Sequence, residues 1–585
     1  MARIAIVDKK RCSPSNCGNF LCMRVCPVNR KGEDCITEGE DHKITIDEKL
    51  CIGCGICVKK CPFNAISIIN LPEALGKPPI HCYGKNGFHL YNLPVPIFGK
   101  VVGIIGRNGI GKTTAIKVLS GLLQPNLGKP RHKAKLPELI EYFKGTELHN
   151  YFEMLETGKM RVAVKPQQVS LIPRHFSGNV LELLKKLDET GKYKELVAKL
   201  ELKPLLSRKL SQISGGELQK VAIAACALKD ANVYFFDEPT SYLDIKQRIM
   251  VSSFIRSLAN KNTAVVVIEH DLILLDYMTD LIHIAFGRPS AYGVISGLKS
   301  TREGVNEYLS GVLRKENIRF RETRIAFDDK PPAKLTHREV LVEWQPLEKN
   351  MDTFKLKADK GIIHKKNTVG VLGENGIGKT TFVRILAGEL KPDKGKISEN
   401  VKVSYKPQYI DIEEQTKVKD FIKEAVMNFR NELISPLELD SVLNEQLRQL
   451  SGGELQKVMI AKCLSADADL FLLDEPSAYL DVEQRLLVSK LIRKQMETRG
   501  KSALIVDHDL LFIDYLSDEL IVFDGEPAKH GLLKGPFEME TGMNIFLRKL
   551  SITMRRDPET KRPKINKAES RLDREQKRTG KLYYS

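Results

Sequence analysis

Two α/β nucleotide-binding units in tandem, preceded by a small cysteine-rich domain, are what this sequence predicts, and three observations carry the prediction. Gly106–Thr113 reads G-R-N-G-I-G-K-T and Gly373–Thr380 reads G-E-N-G-I-G-K-T, two Walker A loops. A later set repeats with them: S-G-G-E-L-Q from Ser214 and again from Ser451, then D-E-P from Asp237 and again from Asp474. The loops lie 267 residues apart and the later motifs 237 to 238, so one unit occurs twice. Nine of the twelve cysteines fall in the first 61 residues, which sets that region apart.

At 585 residues the chain is too long for one core. Its formal net charge of +18 favours an anionic partner such as RNA, DNA or a membrane surface, and composition does not choose among them. No apolar run is long enough to span a bilayer. The start carries Arg3, Asp8, Lys9 and Lys10 where a signal peptide would be apolar. A cytoplasmic, reducing compartment and no membrane partner are expected.

Residues 1–80 read as a ferredoxin-like iron–sulfur domain. Cys51-x2-Cys54-x2-Cys57-x3-Cys61-Pro62 is the bacterial ferredoxin run for a [4Fe–4S] cluster, whose fourth thiolate typically serves a neighbouring cluster. Cys12-x4-Cys17-x4-Cys22-x3-Cys26-Pro27 is looser but ends the same way. Cys12, Cys17, Cys22 and Cys61 are therefore assigned to one cluster, and Cys51, Cys54, Cys57 and Cys26 to a second. Cys35 has no place in the scheme and reads as a bystander thiol. Zinc and disulfides are the alternatives; the paired C-P endings argue against the first and a reducing compartment against the second. Ile66–Ile69 reads as a strand and Leu71–Pro79 as a linker.

The first unit is placed at 81–302. Lys100–Ile105 is apolar enough for a buried strand, and Thr114–Leu122 has helical spacing. Between them, glycines let backbone N–H groups close around phosphate while the helix points its positive end at the same charge. Gly106, Asn108, Gly109, Gly111, Lys112, Thr113 and Thr114 are the candidate contacts, with Lys112 reaching the β- and γ-phosphates and Thr113 holding Mg²⁺. Tyr83 and Phe88 are candidates to stack on adenine, with an ordinary core position as the equal alternative. Lys112 precedes Gln167 of K-P-Q by 55 residues, whereas Lys379 precedes Gln408 by 29, so the first unit carries an insertion, placed within 124–159. There Pro137–Phe143 and Glu147–Leu155 are predicted as helices around Gly145, a contact device or a neutral decoration. Gln167 is placed to touch Mg²⁺ and attacking water. Asp237 ends an apolar run where a carboxylate can face Mg²⁺, Glu238 follows it to orient or deprotonate water, and His270 ends a later strand where it can sense the γ-phosphate.

Residues 303–340 read as a charged linker, with Lys330-Pro331-Pro332 inside it. The second unit, 341–531, repeats the site: Gly373, Asn375, Gly376, Gly378, Lys379, Thr380 and Thr381 on the loop, Gln408, Asp474, Glu475 and His508 after it, and Phe354 as the adenine candidate. Thr380, Gln408 and Asp474 are its Mg²⁺ candidates. Residues 532–585 are left as a C-terminal hinge and basic tail. Arg555–Ser585 holds eleven Lys or Arg against five Asp or Glu and reads as an extended basic arm suited to nucleic acid.

At the Walker A, S-G-G-E, D-E-P and Y-L-D residues the chain resembles the ATP-binding-cassette ATPases over roughly residues 80–535. That resemblance implies two cassettes facing head to tail, as a monomer with internal pseudo-twofold pairing. One site then takes Lys112, Thr113, Gln167, Asp237, Glu238 and His270 and is closed by Ser451, Gly452 and Gly453. The other takes Lys379, Thr380, Gln408, Asp474, Glu475 and His508 and is closed by Ser214, Gly215 and Gly216. With the two-cluster domain in front, the whole chain resembles the soluble twin-cassette ribosome-recycling ATPases, the RNase L inhibitor family of archaea and eukaryotes. Its compact length is similar to the archaeal members. The first signature reads I-S-G-G-E where the family pattern has Leu, which leaves the serine and glycine amides in place. The resemblance implies ATP hydrolysis with Mg²⁺ that splits ribosomes into subunits, a release factor or Pelota-like rescue factor as partner, and retention on the small subunit and its rRNA. An energy-coupled iron–sulfur redox protein and the soluble ATPase subunit of a membrane transporter are the competing readings.

Overall fold

The computed structural model describes residues 3–70, 78–327, 339–351, 353–398, 401–408 and 415–584. Most of the predicted linker at 71–79 and all of Lys330-Pro331-Pro332 lie outside the described residues.

Strands that are apolar on both faces belong at the centre of a covered parallel sheet. Val101–Ile105, Val233–Asp237 and Ala264–Ile268 are buried throughout, as are Thr368–Leu372, Leu470–Asp474 and Ser502–Val506. In each cassette the strand before the phosphate loop lies between two parallel neighbours. In the first these are Ala264–Ile268 and Leu281–Arg288, in the second Ser502–Val506 and Glu519–Glu526. Both sheets continue outward in the same order, through the D-E-P strand to the K-P-Q strand (Val162–Lys165 or Val403–Lys406). The carboxyl ends of these parallel strands therefore bring loop, K-P-Q, D-E-P and histidine to one edge, where open α/β sheets bind ligands.

The insertion forms helices Leu136–Tyr142 and Glu147–Glu156, with Gly145 at φ 78° between them. Leu139, Phe143, Leu148, Tyr151 and Phe152 are buried in the core of the first cassette, and Phe143 stacks on Phe152 at 5.3 Å between ring centres. The Tyr151 hydroxyl donates to the carbonyl of Leu119, the last residue of the helix that follows the phosphate loop, at 2.7 Å.

Two expected boundaries move. Helix Thr301–Ser310 packs on strand Leu281–Arg288, across the boundary drawn at 302. In the second cassette strand His530–Glu538 lies in the sheet between Glu519–Glu526 and Phe354–Ala358, so the cassette runs past 531. The interrupted pattern of H-G-L-L-K-G-P-F-E hid it, because glycines and a proline weaken a strand signal.

The C-terminal stretch is not an extended arm. Met554–Arg556 pairs with Pro563–Ile565, helix Arg571–Thr579 follows, and Met554, Arg562, Ile565, Leu582 and Tyr583 are buried. It is wedged between the cassettes and holds the same acid in each. Lys564 Nζ lies 2.9 Å from Asp276 Oδ2, and Arg562 Nη2 lies 3.9 Å from Asp276 Oδ1. The hydroxyls of Tyr583 and Tyr584 both donate to Asp514. Asp276 and Asp514 occupy matching places on helices Leu272–Met278 and Leu510–Leu516, which begin just after the two histidines.

In the N-terminal domain Arg3–Val7 pairs antiparallel with Ile66–Asn70, Ile36–Glu38 with Ile44–Ile46, and short helices Leu21–Val25 and Ile56–Lys60 pack together. Asn86 exchanges hydrogen bonds with Ile46 (2.7 and 2.9 Å), docking the domain on the first cassette. Arg11 Nη2 reaches Glu445 Oε1 of the second at 2.7 Å.

Candidate active sites and cysteine centre

Each phosphate loop joins a buried strand to a helix, Lys112–Leu119 or Lys379–Leu386. Gly111 and Gly378 precede these helices at φ 88° and 96°, a region side chains rarely adopt, and a Cβ there would stand 2.7 and 2.9 Å from the rings of Phe88 and Phe354. Phe88 and Phe354 are thus equivalent. Tyr83 has no such counterpart; it is half exposed, with its hydroxyl 3.2 Å from Thr114 Oγ1. Gly109 and Gly376 turn the loops at φ 73° and 70°, while Gly106 and Gly373 sit too close to Ala285 and Phe523 to carry a side chain. Thr114 and Thr381 stand in the first helical turns.

Lys112 and Lys379 are buried, and each ammonium donates to two loop carbonyls: Gly106 (2.8 Å) and Arg107 (2.7 Å), or Gly373 (2.9 Å) and Glu374 (2.7 Å). Burial lowers the pKa of both. Asp237 and Asp474 end their strands fully buried. Thr380 donates to Asp474 Oδ2 at 2.7 Å, and Thr113 bonds Asp237 likewise. Burial pushes Asp474 up to about 6 and raises Asp237. The Oδ1 of each has no partner.

The structure brings each predicted glutamine, glutamate and histidine together. Gln167 Nε2 donates to Glu238 Oε1 at 2.6 Å, and Gln408 Nε2 to Glu475 Oε1 at 2.8 Å. His270 and His508 place Nε2 at 3.3 and 3.5 Å from the same oxygens. Burial opposes the charge on both glutamates, but the neighbouring histidine and the loop lysine hold each at about 2. Burial and Lys379 lower the pKa of His508, while Glu475 opposes them. Both nitrogens of His270 and of His508 are buried without a well-aligned hydrogen bond.

These sets fit Mg²⁺ and a nucleotide triphosphate. An unpartnered carboxylate oxygen beside a threonine hydroxyl suits a hard cation. An ammonium and the amides at a helix start suit phosphate. Bound phosphate would add negative charge and move the glutamates back toward the neutral range.

The cassettes meet head to tail, where predicted loop residues bond two aspartates not predicted as site members. The Asn108 amide donates to Asp481 Oδ2 of the second cassette at 2.9 Å, and the Asn375 amide donates to Asp244 Oδ2 of the first at 3.0 Å. Asp244 and Asp481 close the repeated Y-L-D strings, a signal that was present. Ser214 and Ser451 cap their own signature helices, Gly215–Ala227 and Gly452–Ser465, through Glu217 and Glu454. Among the described residues, no hydrogen bond across the interface comes from Ser214, Gly215, Gly216, Ser451, Gly452 or Gly453. Near the pseudo-twofold axis Arg248 lies 3.4 Å from Asp271, Arg485 lies 2.7 Å from Asp509, and Arg248 donates to the carbonyl of His508.

In the N-terminal domain Cys26, Cys51, Cys54 and Cys57 line one cavity with Ile36, Ile46 and Ile52. Cys35, read as a bystander thiol, lines it too; it reaches the cavity from the turn into strand Ile36–Glu38, beside Cys26 and Cys51. Cys12 and Cys17 neighbour Cys22. Among the described residues no three Cys, His, Asp or Glu converge on a single ion. Thiols ringing a cavity suit a multi-iron cluster, which spreads its ligands wider than one ion does. Burial pushes Cys57 up to about 11 and Cys22 to about 12, so holding a cluster requires iron to draw off their protons.

Residues 97–241 and 356–478 match the ABC transporter family, residues 44–67 a 4Fe-4S binding domain, and residues 2–34 a possible Fer4-like domain in RNase L inhibitor. An uncharacterized ABC transporter ATP-binding protein of Methanocaldococcus jannaschii is 51% identical over 591 residues, covering 100% of this chain and 97% of that protein. A structure of ribosome-bound archaeal Pelota and ABCE1 contains a chain with a TM-score of 0.93 and 51% identity, covering 100% of this chain and 99% of that one. A crystal structure of archaeal ribosomal stalk protein aP1 with archaeal ribosome recycling factor aABCE1 matches at a TM-score of 0.83 and 50% identity, over 87% of this chain and 99% of that one.

Proposed function

Because this chain belongs to the RNase L inhibitor family of ABC ATPases, we propose that it splits ribosomes into subunits and then stays on the small subunit. It is an ATP-hydrolysing protein. The observation that carries the proposal is the full-length match to a chain seen bound to the ribosome with Pelota. A release factor or Pelota-like rescue factor is accordingly its partner, the small subunit and its rRNA its platform, and the cytosol its compartment. No described helix is long and apolar enough to cross a membrane.

The geometry suggests how ATP would drive this. Lys112 and Lys379 would exchange loop carbonyls for phosphate oxygens. Thr113, Gln167 and Asp237, and Thr380, Gln408 and Asp474, would hold Mg²⁺. Glu238 and Glu475 would orient and deprotonate water, with His270 and His508 reading the γ-phosphate beside them. Tyr83 and Phe88, and Phe354, would flank adenine. Ser451, Gly452 and Gly453, and Ser214, Gly215 and Gly216, would complete the opposite site on closure, a rigid-body movement that hydrolysis reverses. Cys12, Cys17, Cys22 and Cys61, and Cys26, Cys51, Cys54 and Cys57, would hold two [4Fe–4S] clusters, which stiffen a domain too small to build its own core. That domain touches both cassettes, so their movement is passed to it.

The test is sedimentation of ribosomes on sucrose gradients with this protein, ATP and a release or rescue factor. Free subunits are expected only when all are present. Intact ribosomes under every nucleotide condition would overturn the proposal.

A further inference from the structure

Beneath each proposed water-activating glutamate lies a pair of buried side chains that the mechanism above does not use. Lys165 and Lys406, the lysines of the two K-P-Q strings, are 0% and 1% exposed. Among the described residues neither forms an ion pair. Lys165 Nζ instead donates to the carbonyls of Asp237 (2.8 Å) and Glu238 (3.2 Å), and Lys406 Nζ to those of Asp474 (2.7 Å) and Glu475 (3.4 Å). The glutamate carbonyl takes a second bond in each cassette: Gln219 Nε2 and Gln456 Nε2, from the signature helices, donate at 2.6 Å. Gln219 and Gln456 are buried as well.

What these donors hold is a strained peptide. Glu238 and Glu475 sit at φ 47° and 48°, the left-handed region that L-residues avoid. A conformation of this kind persists only where its surroundings over-determine it. Two donors on one carbonyl, and a buried cation spanning two consecutive carbonyls, do that. The same three residues, at closely similar distances, recur in both cassettes. A buried cation held by carbonyls is costly, and here burial pushes both lysines down to about 8 although Asp237, Glu238 and Glu269, or Asp474, Glu475 and Asp507, act the other way.

We propose that Lys165 and Lys406, with Gln219 and Gln456, are positioning residues for ATP hydrolysis: they lock the backbone turn that aims Glu238 and Glu475 at the attacking water. Because Lys165 and Lys406 begin the K-P-Q segments and Gln219 and Gln456 lie on the signature helices, the turn also registers movement of both. The inference rests on the proposed role of the glutamates, and its test separates the two.

Steady-state hydrolysis and ATP affinity are measured for wild type, the pair Lys165→Met and Lys406→Met, the pair Glu238→Gln and Glu475→Gln, and all four changes together. The lysine pair should lower kcat about tenfold to a hundredfold, the scale of a slightly misplaced reacting group, while KM and ATP affinity hold. In the glutamine background the lysine changes should add nothing further, because they act through the carboxylate. A normal kcat in the lysine pair, a change confined to KM, or multiplied losses in the fourfold variant would overturn the inference. Wild-type hydrolysis in the Glu→Gln pair would overturn the role of the glutamates instead. If the lysine variants do not fold, Gln219→Leu with Gln456→Leu removes the other donor from the same carbonyls and must show the same kcat-only loss and the same non-additivity; their absence overturns the inference equally.

Discussion

The two nucleotide sites agree closely on the inside and differ in charge on the outside. The glutamine–glutamate bonds are 2.6 and 2.8 Å, the histidine–glutamate approaches 3.3 and 3.5 Å, and the loop-to-aspartate bonds across the interface 2.9 and 3.0 Å. At the second residue of the loops the agreement ends. Arg107 of the first cassette faces Glu483 (3.6 Å) and Glu438 (3.4 Å) of the second. Glu374 of the second faces Lys246 of the first at 3.2 Å. Lys246 and Glu483 stand two places after the matching Asp244 and Asp481, so the ion pair is retained with its sign reversed. The proposed chemistry requires the inner groups to be held closely in place. The rim is free to vary, and a reversed pair makes each cassette fit the other and repel its own copy: Arg107 would meet Lys246, or Glu374 would meet Glu483.

The largest effect is expected from the inner groups. Replacing Glu238 and Glu475 together by Gln keeps their shape and removes the proposed proton acceptor, and single-turnover hydrolysis should fall by about 10²–10⁴ while ATP stays bound. The two single variants should lose equally if inner geometry alone sets the rate; unequal losses would show that the insertion and the N-terminal domain beside the first cassette matter. Undiminished hydrolysis in the double variant would break the equivalence altogether.

A smaller effect compares how firmly the C-terminal segment holds each cassette. Lys564→Met leaves buried Asp276, among the described residues, with only the distant Arg562, takes a cation from buried Asp557 as well, and should destabilise by about 3 kcal/mol. Tyr583→Phe removes one of two hydroxyls on Asp514, at about 1 kcal/mol. Chemical denaturation of each variant checks the order, and equal losses would contradict it.

The axis gives a pH prediction. Asp271 is pushed up to about 7, first by burial and then by Asp509 across the interface, against an ordinary value of 3.8. The folded form therefore holds a proton that the unfolded chain releases above about pH 4, so this group's contribution is full below 4, declines as pH rises toward 7, and is flat above it. The slope is at most about 1.4 kcal/mol per pH unit. Asp271→Asn keeps the helix cap on Ile273 and Leu274 and should flatten the decline in denaturation curves between pH 5 and 7; an unchanged slope would reject the assignment.

The rim should give the smallest effect. Arg107→Glu should weaken ATP-dependent closure by about 0.5–1 kcal/mol, and Glu483→Arg added to it should restore part of that, with the difference fading at high salt. Fluorescence distances between labelled cassettes would read it. No recovery in the double variant would mean that Arg321, which also binds Glu483 at 2.7 Å, is the partner that counts.

The cassette cores and inner sites were legible because their residues sit in short strings whose order repeats, and each string names its own backbone geometry. The C-terminal segment was not. Eleven cations in a row of polar residues read as solvated, yet Arg562 is fully buried, with the carbonyl of Leu272, 290 positions away, beside it. Composition registers the charge and not a partner at that distance. The place of Cys35 was hidden for a related reason: spacing ranks thiols along the chain, whereas its position at the cavity depends on the strand pairing Ile36–Glu38 with Ile44–Ile46. Lys165 and Lys406 were visible as the first letter of K-P-Q, but only burial against carbonyls separates them from ordinary surface lysines.

The segment that clasps Asp276 and Asp514 comes after both cassettes in the chain, and this bears on how the protein is made. A polypeptide emerges from its first residue onward at about 5–20 residues per second, and domains fold as they appear. The first cassette can finish its sheet early, yet its Asp276 waits roughly 15 to 60 s at that pace for Lys564 to arrive. For most of that time the interface face, with Arg248, Asp271 and the apolar helix Leu272–Met278, has no finished second cassette against it, and throughout it has no clasp. Nascent chains should therefore be vulnerable at that face to capture by chaperones or by one another on the same message. Faster elongation would shorten the exposure, and chains stalled before residue 564 should be the ones that aggregate.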